Sequence, residues 1–126
     1  MIAATGVTGK TMRVFMTGAT GFIGQALVQA IRRRGWSLTT LVRDPQGIPA
    51  RWLRSQGAEL VTGDVTADGA WTGALGGVDL VLHNAGVYEI GADRATVQRM
   101  MAVNVGGTER VLAAVRCQSA CVNRWW

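Results

Sequence analysis

The sequence is poor in the residues on which several functional classes depend. Among its 126 residues it has one histidine (His83), one lysine (Lys10), one tyrosine (Tyr88) and two cysteines. Cys117 and Cys121 lie four apart with no histidine or third cysteine nearby, so they make no zinc site and read as spare thiols. Asp64, Asp68 and Asp79 likewise lack metal-ligand company, and no metal is expected. No apolar run approaches the roughly 18 residues of a membrane span. Met1–Met12 lacks the long apolar core of a secretory leader, so no membrane partner is expected and the expected location is cytoplasmic. Gly9-Lys10-Thr11 could close a phosphate loop, but Ala4 stands where that loop needs its first glycine. Residues 1–12 therefore read as a flexible tail, with Met12 available as a start. Charged residues are also sparse at 17%, against 48% apolar, which excludes a disordered chain and fits one globular domain over 13–126. Twelve arginines and one lysine against eight acids leave a formal charge of +5. The densest cluster, Arg32-Arg33-Arg34, falls at an expected helix C-terminus, where cations complement the dipole. Without interleaved aromatics or a recognised binding module it reads as a solvated helix end, and no nucleic-acid partner is expected.

What is abundant is glycine, seventeen in all, and three of them organise the chain. Thr17-Gly18-Ala19-Thr20-Gly21-Phe22-Ile23-Gly24 follows the apolar run Arg13-Val14-Phe15-Met16 and opens an amphipathic segment. A strand that delivers the chain to a tight turn, with a helix behind it, aims free N–H groups and a positive dipole end at a phosphate. Gly18 would allow the turn, Gly21 the approach of a pyrophosphate, and Gly24 the close packing of helix on strand. Thr20, Phe22 and Ile23 belong to the same candidate loop.

Hydrophobic periodicity carries the rest. A first strand is expected over Arg13–Thr17 and a first helix over Phe22–Arg34, with Phe22, Ile23, Ala26, Leu27, Ala30 and Ile31 as its apolar stripe and Gly35 ending it. Strand two is expected at Ser37–Val42, before the turn signal Asp44-Pro45, and a short helix at Pro49–Gln56. Strand three follows at Ala58–Thr62, then a weak helix near Asp68–Leu75. Strand four, Val78–His83, reads as a parallel strand covered on both faces. A long helical region is expected over Asp93–Arg116, interrupted near Gly106-Gly107. Trp36, Trp52 and Trp71 read as core or edge packing, and His83 as a packed or backbone-bonded side chain rather than a catalytic one. Strands and helices alternating at this spacing predict an α/β fold, a Rossmann-type doubly wound parallel sheet of strand order 3-2-1-4.

Four motifs in order, Thr17–Gly24, Gly63-Asp64-Val65, His83-Asn84-Ala85-Gly86 and Asn104-Val105-Gly106-Gly107-Thr108, resemble the N-terminal half of the NAD-dependent epimerase/dehydratase group, the extended or atypical short-chain dehydrogenase/reductases. The resemblance implies NAD(H) or NADP(H) as cofactor and oxidoreductase-based chemistry on a nucleotide sugar or small carbonyl compound. It assigns the pyrophosphate to the glycine loop, with backbone contacts from Phe22 and Ile23. It gives the adenine to Asp64 and Val65, and the nicotinamide ribose to Asn84, Ala85 and Gly86. Asn104 and Thr108 match the signature of its fourth helix, Asn104 mainly as a structural anchor. At the end of strand two an acidic residue would suit a free ribose 2′-hydroxyl. Here Arg43 suits a 2′-phosphate, and Asp44 comes one position late but could still serve the hydroxyl. NADP(H) is the preferred cofactor and NAD(H) the alternative.

The family's chemistry rests on a Tyr-x-x-x-Lys pair, in which the lysine lowers the tyrosine's pKa. Tyr88 is followed four positions on by Ala92, so the pair is absent and no catalytic residue is expected. The closing Ala120-Cys121-Val122-Asn123-Arg124-Trp125-Trp126 also departs from the expected link to a valine-rich fifth strand. Two valine codons read one base out of frame become two tryptophan codons, so a truncated product of a longer gene is expected. A sheet ending at strand four would leave an open apolar edge and promote self-association. Three readings stand: the dinucleotide-binding portion of an oxidoreductase, a non-catalytic NADP-sensing module, and a non-functional truncated product.

Overall fold

The computed structural model describes residues 11–119; the readings placed on Lys10, Cys121 and the closing Trp125-Trp126 lie outside them. Four parallel strands, β1 (Arg13–Thr17), β2 (Ser37–Val42), β3 (Glu59–Thr62) and β4 (Leu80–His83), form one sheet of order β3-β2-β1-β4. The expected order 3-2-1-4 is therefore observed. Between them run α1 (Phe22–Arg33), α2 (Ile48–Ser55) and a 3₁₀ helix (Ala70–Leu75) where a weak α-helix was expected. Beyond β4 come α3 (Arg94–Met101), a π-helical segment (Ala102–Gly107) and α4 (Thr108–Ser119). The interruption expected near Gly106-Gly107 is thus a widened turn within a continuing helix, not a break. Among the described residues no helix is long and apolar enough to cross a membrane.

The period-two geometry of β1 sorts the core into two layers. Val14 and Met16 meet Val28, Ile31, Leu38, Val42 and Leu53 on the α1/α2 face. Phe15 meets Leu41, Trp71, Leu75, Val111 and Ala114 on the opposite face, under the 3₁₀ helix and α4. β4 follows the same alternation, with Leu80 and Leu82 on the first face and Val81 on the second. All four of its residues are nevertheless only half-buried. Among the described residues β4 pairs with β1 alone. Arg13 and Asp79 fasten the other end of that pair: the Arg13 amide donates to Asp79 Oδ2 at 2.8 Å, and the Asp79 amide to the Arg13 carbonyl at 2.8 Å.

The buried stripe of α1 is Gly24, Val28 and Ile31, with Leu27 partly buried beside it. Phe22 is 95% exposed, and Ile23 and Ala26 also face outward, against their expected place in the stripe. The reason is the register: with Gly24 pressed on the loop, the core-facing positions are those three, four and seven residues on. Trp71 carries the second layer. It is 2% exposed, stacks on Phe15 with ring centroids 6.5 Å apart, and its indole N–H donates to the Ala67 carbonyl at 3.1 Å. Trp71→Ala should cost about 3–5 kcal/mol in urea unfolding, enough to unfold a marginal domain. A loss below about 1 kcal/mol would show that this layer is not part of the cooperative core.

Candidate functional site

β1 ends at Thr17, and the next residue takes a conformation that only glycine adopts readily: Gly18 has φ +72°. A Cβ at Gly18 would also lie 2.5–2.6 Å from the Asn84 carbonyl group and the Ala85 nitrogen. The turn closes with the Gly21 amide donating to the Gly18 carbonyl at 3.3 Å. The first bond into the helix runs from Gln25 N–H to the Gly21 carbonyl at 3.0 Å. The amides of Phe22, Ile23 and Gly24 precede it. No side chain caps them, and the first turn carries no acid, so the N-terminus of α1 keeps its donors and its positive end. Gly24 lies beneath the loop, where a Cβ would be 2.0 Å from the Gly18 carbonyl oxygen.

β2 and β3 supply the next wall. Arg43 is exposed on the rim. Asp44, one residue on, accepts the Gln46 amide at 2.9 Å within its own turn and faces a small side recess with Thr20, Gly47 and Pro49. Asp64 accepts the Thr66 amide and hydroxyl, both at 2.8 Å. The amide bond, with help from the hydroxyl and from the positive field of Arg43, holds its carboxyl below the usual carboxylate range against the opposing effect of burial. It stays ionised at neutral pH. The stability it adds is present above the ordinary carboxylate pKa and is lost as acid takes the pH down through its lowered value. Val65 behind it is buried against the second core layer.

The loop after β4 forms the last wall and is tied on three sides. Thr17 Oγ1, 1% exposed as part of that residue, accepts the amides of Asn84 and Ala85 at 3.2 and 3.1 Å. Asn84 Nδ2 donates to the Gly18 carbonyl at 3.2 Å. Asn104, in the π-helical segment, takes the Val87 amide on Oδ1 and gives Nδ2 to the Val87 carbonyl, both at 2.8 Å. His83 bridges Thr17 and Thr108 through its two ring nitrogens, at 2.7 and 3.0 Å. It is bonded to side chains, not backbone, and burial pushes its pKa down.

These walls enclose a cavity of about 470 Å³ at the C-terminal ends of the strands, where the chain switches from one side of β1 to the other. Gly18, Thr20, Gly21, Phe22, Ile23, Arg43, Asp64, Val65, Asn84, Ala85 and Gly86 all line it. Of the residues expected at the site, Gly24 alone is not on the wall. Thr17 and Gly63, which belong to the expected motifs but had no contact assigned, also line it, as do Leu41, Val42, Val87 and Val103, which had not been singled out. Thr17 had a signal in the sequence, a polar residue closing an apolar strand directly before the glycine turn. Leu41 and Val42 are ordinary strand residues, and Val103 arrives only through the path of the helical region. Among the described residues no group of acids, histidine or cysteine could hold a metal ion.

The sequence matches the NAD dependent epimerase/dehydratase family over residues 14–123. The chain belongs to that family. A 3 beta-hydroxysteroid dehydrogenase/Delta 5-->4-isomerase of Mycobacterium tuberculosis is 34% identical over 112 residues, 86% of this chain and 29% of that protein. A short-chain dehydrogenase/reductase superfamily protein from Agrobacterium tumefaciens, solved with bound NAD, shares 32% identity at a TM-score of 0.66, covering 84% of this chain and 29% of the other. A short-chain dehydrogenase from Sphingobium yanoikuyae, solved in complex with NADPH, shares 25% identity at a TM-score of 0.70, covering 87% of this chain and 49% of the other. The chain thus spans about three-tenths of the length of the curated relative it matches. The dinucleotide that the family implies fits the residues present: an uncapped helix N-terminus, a glycine turn that any Cβ would fill, and a cleft in the size range of cofactor sites.

The turn is itself testable. Gly18→Ala should cost at least about 2 kcal/mol, since both a left-handed backbone and a backbone clash must be relieved. Gly73→Ala, with nothing within 4 Å of the added carbon, serves as the control and should change stability by less than about 0.5 kcal/mol. Equal thermal shifts in the two variants would count against the close approach of the two loops.

Proposed function

We propose that this chain is the dinucleotide-binding portion of an epimerase-, dehydratase- or reductase-type oxidoreductase acting on a nucleotide sugar or small carbonyl compound, and that its cavity takes NADP(H) in preference to NAD(H). One observation carries the reading: the uncapped end of α1, the Arg43–Asp64 rim and the Asn84–Val87 loop open on a single cavity. In that reading the amides of Phe22 and Ile23 hold the pyrophosphate and Asp64 and Val65 meet the adenine. Arg43 pairs with the 2′-phosphate, and Asn84, Ala85 and Gly86 run beside the nicotinamide ribose. When bound, such a cofactor supplies a hydride donor or acceptor. The engagement of Asp44 in its own turn supports giving the rim to Arg43, and hence the phosphorylated cofactor. The chain has no Tyr-x-x-x-Lys pair, so binding rather than turnover is the property proposed for it.

Calorimetric titration of the purified chain with NADPH, NADP⁺, NADH and NAD⁺ tests this, and heat from none of the four would overturn it. Gly21→Asp is a clean probe. Its backbone is already in the extended region, and an added Cβ would meet only the Gly18 carbonyl, at an ordinary 3.6 Å. The fold should survive while a carboxylate beside the phosphates abolishes binding. Arg43→Asp should weaken NADPH roughly 10–100-fold, the worth of a charge-assisted pair, and NADH far less. Equal losses would remove Arg43 from cofactor choice.

That β4 pairs with β1 alone among the described residues supports one more element of the reading, association between copies through Leu80–His83. Sedimentation velocity should show the weight-average mass rising with concentration; a concentration-independent monomer would contradict it.

A further inference from the structure

The bonds around His83 determine where its proton sits. A hydroxyl offers one donor and two acceptor positions. Thr17 Oγ1 already accepts the amides of Asn84 and Ala85, so its own hydrogen goes to His83 Nδ1, 2.7 Å away. At the far side, Thr108 gives its hydroxyl hydrogen to the Asn104 carbonyl at 2.6 Å, and it can only accept from His83 Nε2 at 3.0 Å. Two independent counts agree. The imidazole is neutral, bare at Nδ1 and protonated at Nε2, and the hydrogens run in one direction from Thr17 through His83 and Thr108 to Asn104.

We propose that His83, in this Nε2–H form, is a positioning residue that holds the Asn84–Val87 wall of the cavity to β1 and α4. Asn104 closes the same loop at Val87 with its side chain, while its backbone carbonyl takes the Thr108 hydroxyl, so both ends of the wall are tied to residues that surround His83. A second proton on the ring breaks it. Nδ1 would then donate to Thr17 Oγ1, three N–H groups would compete for two lone pairs, and the Ala85 amide would lose its anchor, while the Asn84 amide keeps its second bond, to the Thr17 carbonyl at 3.3 Å. No charged neighbour contributes to the shift in His83, which comes from burial alone. The charged residues on the packed elements are Arg13 on β1 and Glu109, Arg110 and Arg116 on α4, with none on β4 itself. Arg13 is tied to Asp79 and Arg110 to Asp68. Because burial lowers the folded pKa, the unfolded chain takes up the proton first. The anchor is intact above the ordinary histidine value of about 6.5 and is lost as the pH falls through the folded value.

The inference rests on the proposed dinucleotide site, and its test has one arm that needs no ligand. Imidazole ¹⁵N spectra of the free protein at pH 7.5 should show a bare Nδ1 and a protonated Nε2; the opposite tautomer would overturn the assignment. In the same sample, hydrogen exchange at the Ala85 amide should speed up as the ring titrates, and unchanged protection there would contradict the positioning role. In the binding arm NAD⁺ is the probe, since it lacks a 2′-phosphate that titrates in the same range. Its affinity should fall by up to about tenfold per pH unit below the folded pKa. His83→Asn keeps an acceptor for the Thr17 hydroxyl but cannot titrate, and should bind at pH 8 with a flat profile. A wild-type profile in that variant, or a flat one in the wild type, would refute the proposal. If no dinucleotide binds at any pH, the functional reading fails while the spectra and exchange still decide the role of His83.

Discussion

The site depends on one steric contact, the seating of the Gly24 α-carbon against the Gly18 carbonyl. A side chain at position 24 would have to occupy space 2.0 Å from that oxygen. With hydrogen there instead, α1 starts within contact of the end of β1, and its first amides lie directly above the strand ends. The same closeness sets the register of α1, because a buried Gly24 makes Leu27, Val28 and Ile31 the inward positions and leaves Phe22 and Ile23 at the mouth of the cavity. Helix packing and the geometry of the cavity mouth are therefore a single constraint. Exposed apolar residues at the start of a helix would be a liability on a bare surface, but beside a cleft they provide an apolar wall.

Gly18 transmits that constraint sideways. Its left-handed turn lets the Asn84–Ala85 backbone come to within contact of the loop, and Asn84 Nδ2 fastens the two with a bond to the Gly18 carbonyl. The β1 and β4 ends thus form a double loop with the switch of chain direction between them. The exposed Arg43 rim is built differently. Asp44 and Asp64 each spend one carboxylate oxygen on an amide two residues on, which stiffens the turns, while Arg43 remains on the surface. In the proposed function, selectivity at this end can change by substitution of surface residues without disturbing the glycine loop.

The sheet and its order were legible because each strand is a short apolar run closed by a turn signal, and because strands and helices alternate. The glycine spacing marked the loop for the same reason: its physics is local. What escaped the sequence depends on tertiary register. The stripe of α1 was misread because periodicity alone admits two adjacent faces, and only the Gly24 contact selects between them. Gly106-Gly107 suggests a break, but the helical path continues as a π segment. That extra residue per turn goes with Asn104 meeting Val87 and with Val103 at the cavity. Thr17 and His83 were visible as letters, yet their partnership exists only because β1 and β4 pair in the register that sets them side by side.

The two halves of the cavity are held by different forces, and this decides how each responds to its surroundings. The β1–α1 half rests on backbone sterics, which neither pH nor salt alters. The β4 half rests on two hydroxyls and an imidazole, whose bonds fix one another's direction, and on the separate side-chain carboxamide of Asn104 that holds Val87. Such a network orders a loop well only while every member is satisfied, because a single misplaced proton leaves a donor facing a donor in a buried place. The glycine loop can therefore keep its shape under conditions in which the opposite wall has loosened. In the proposed function that wall is the nicotinamide side, so protonation of His83 would remove the share of the cofactor's affinity that this wall supplies while the contacts of the glycine loop persist.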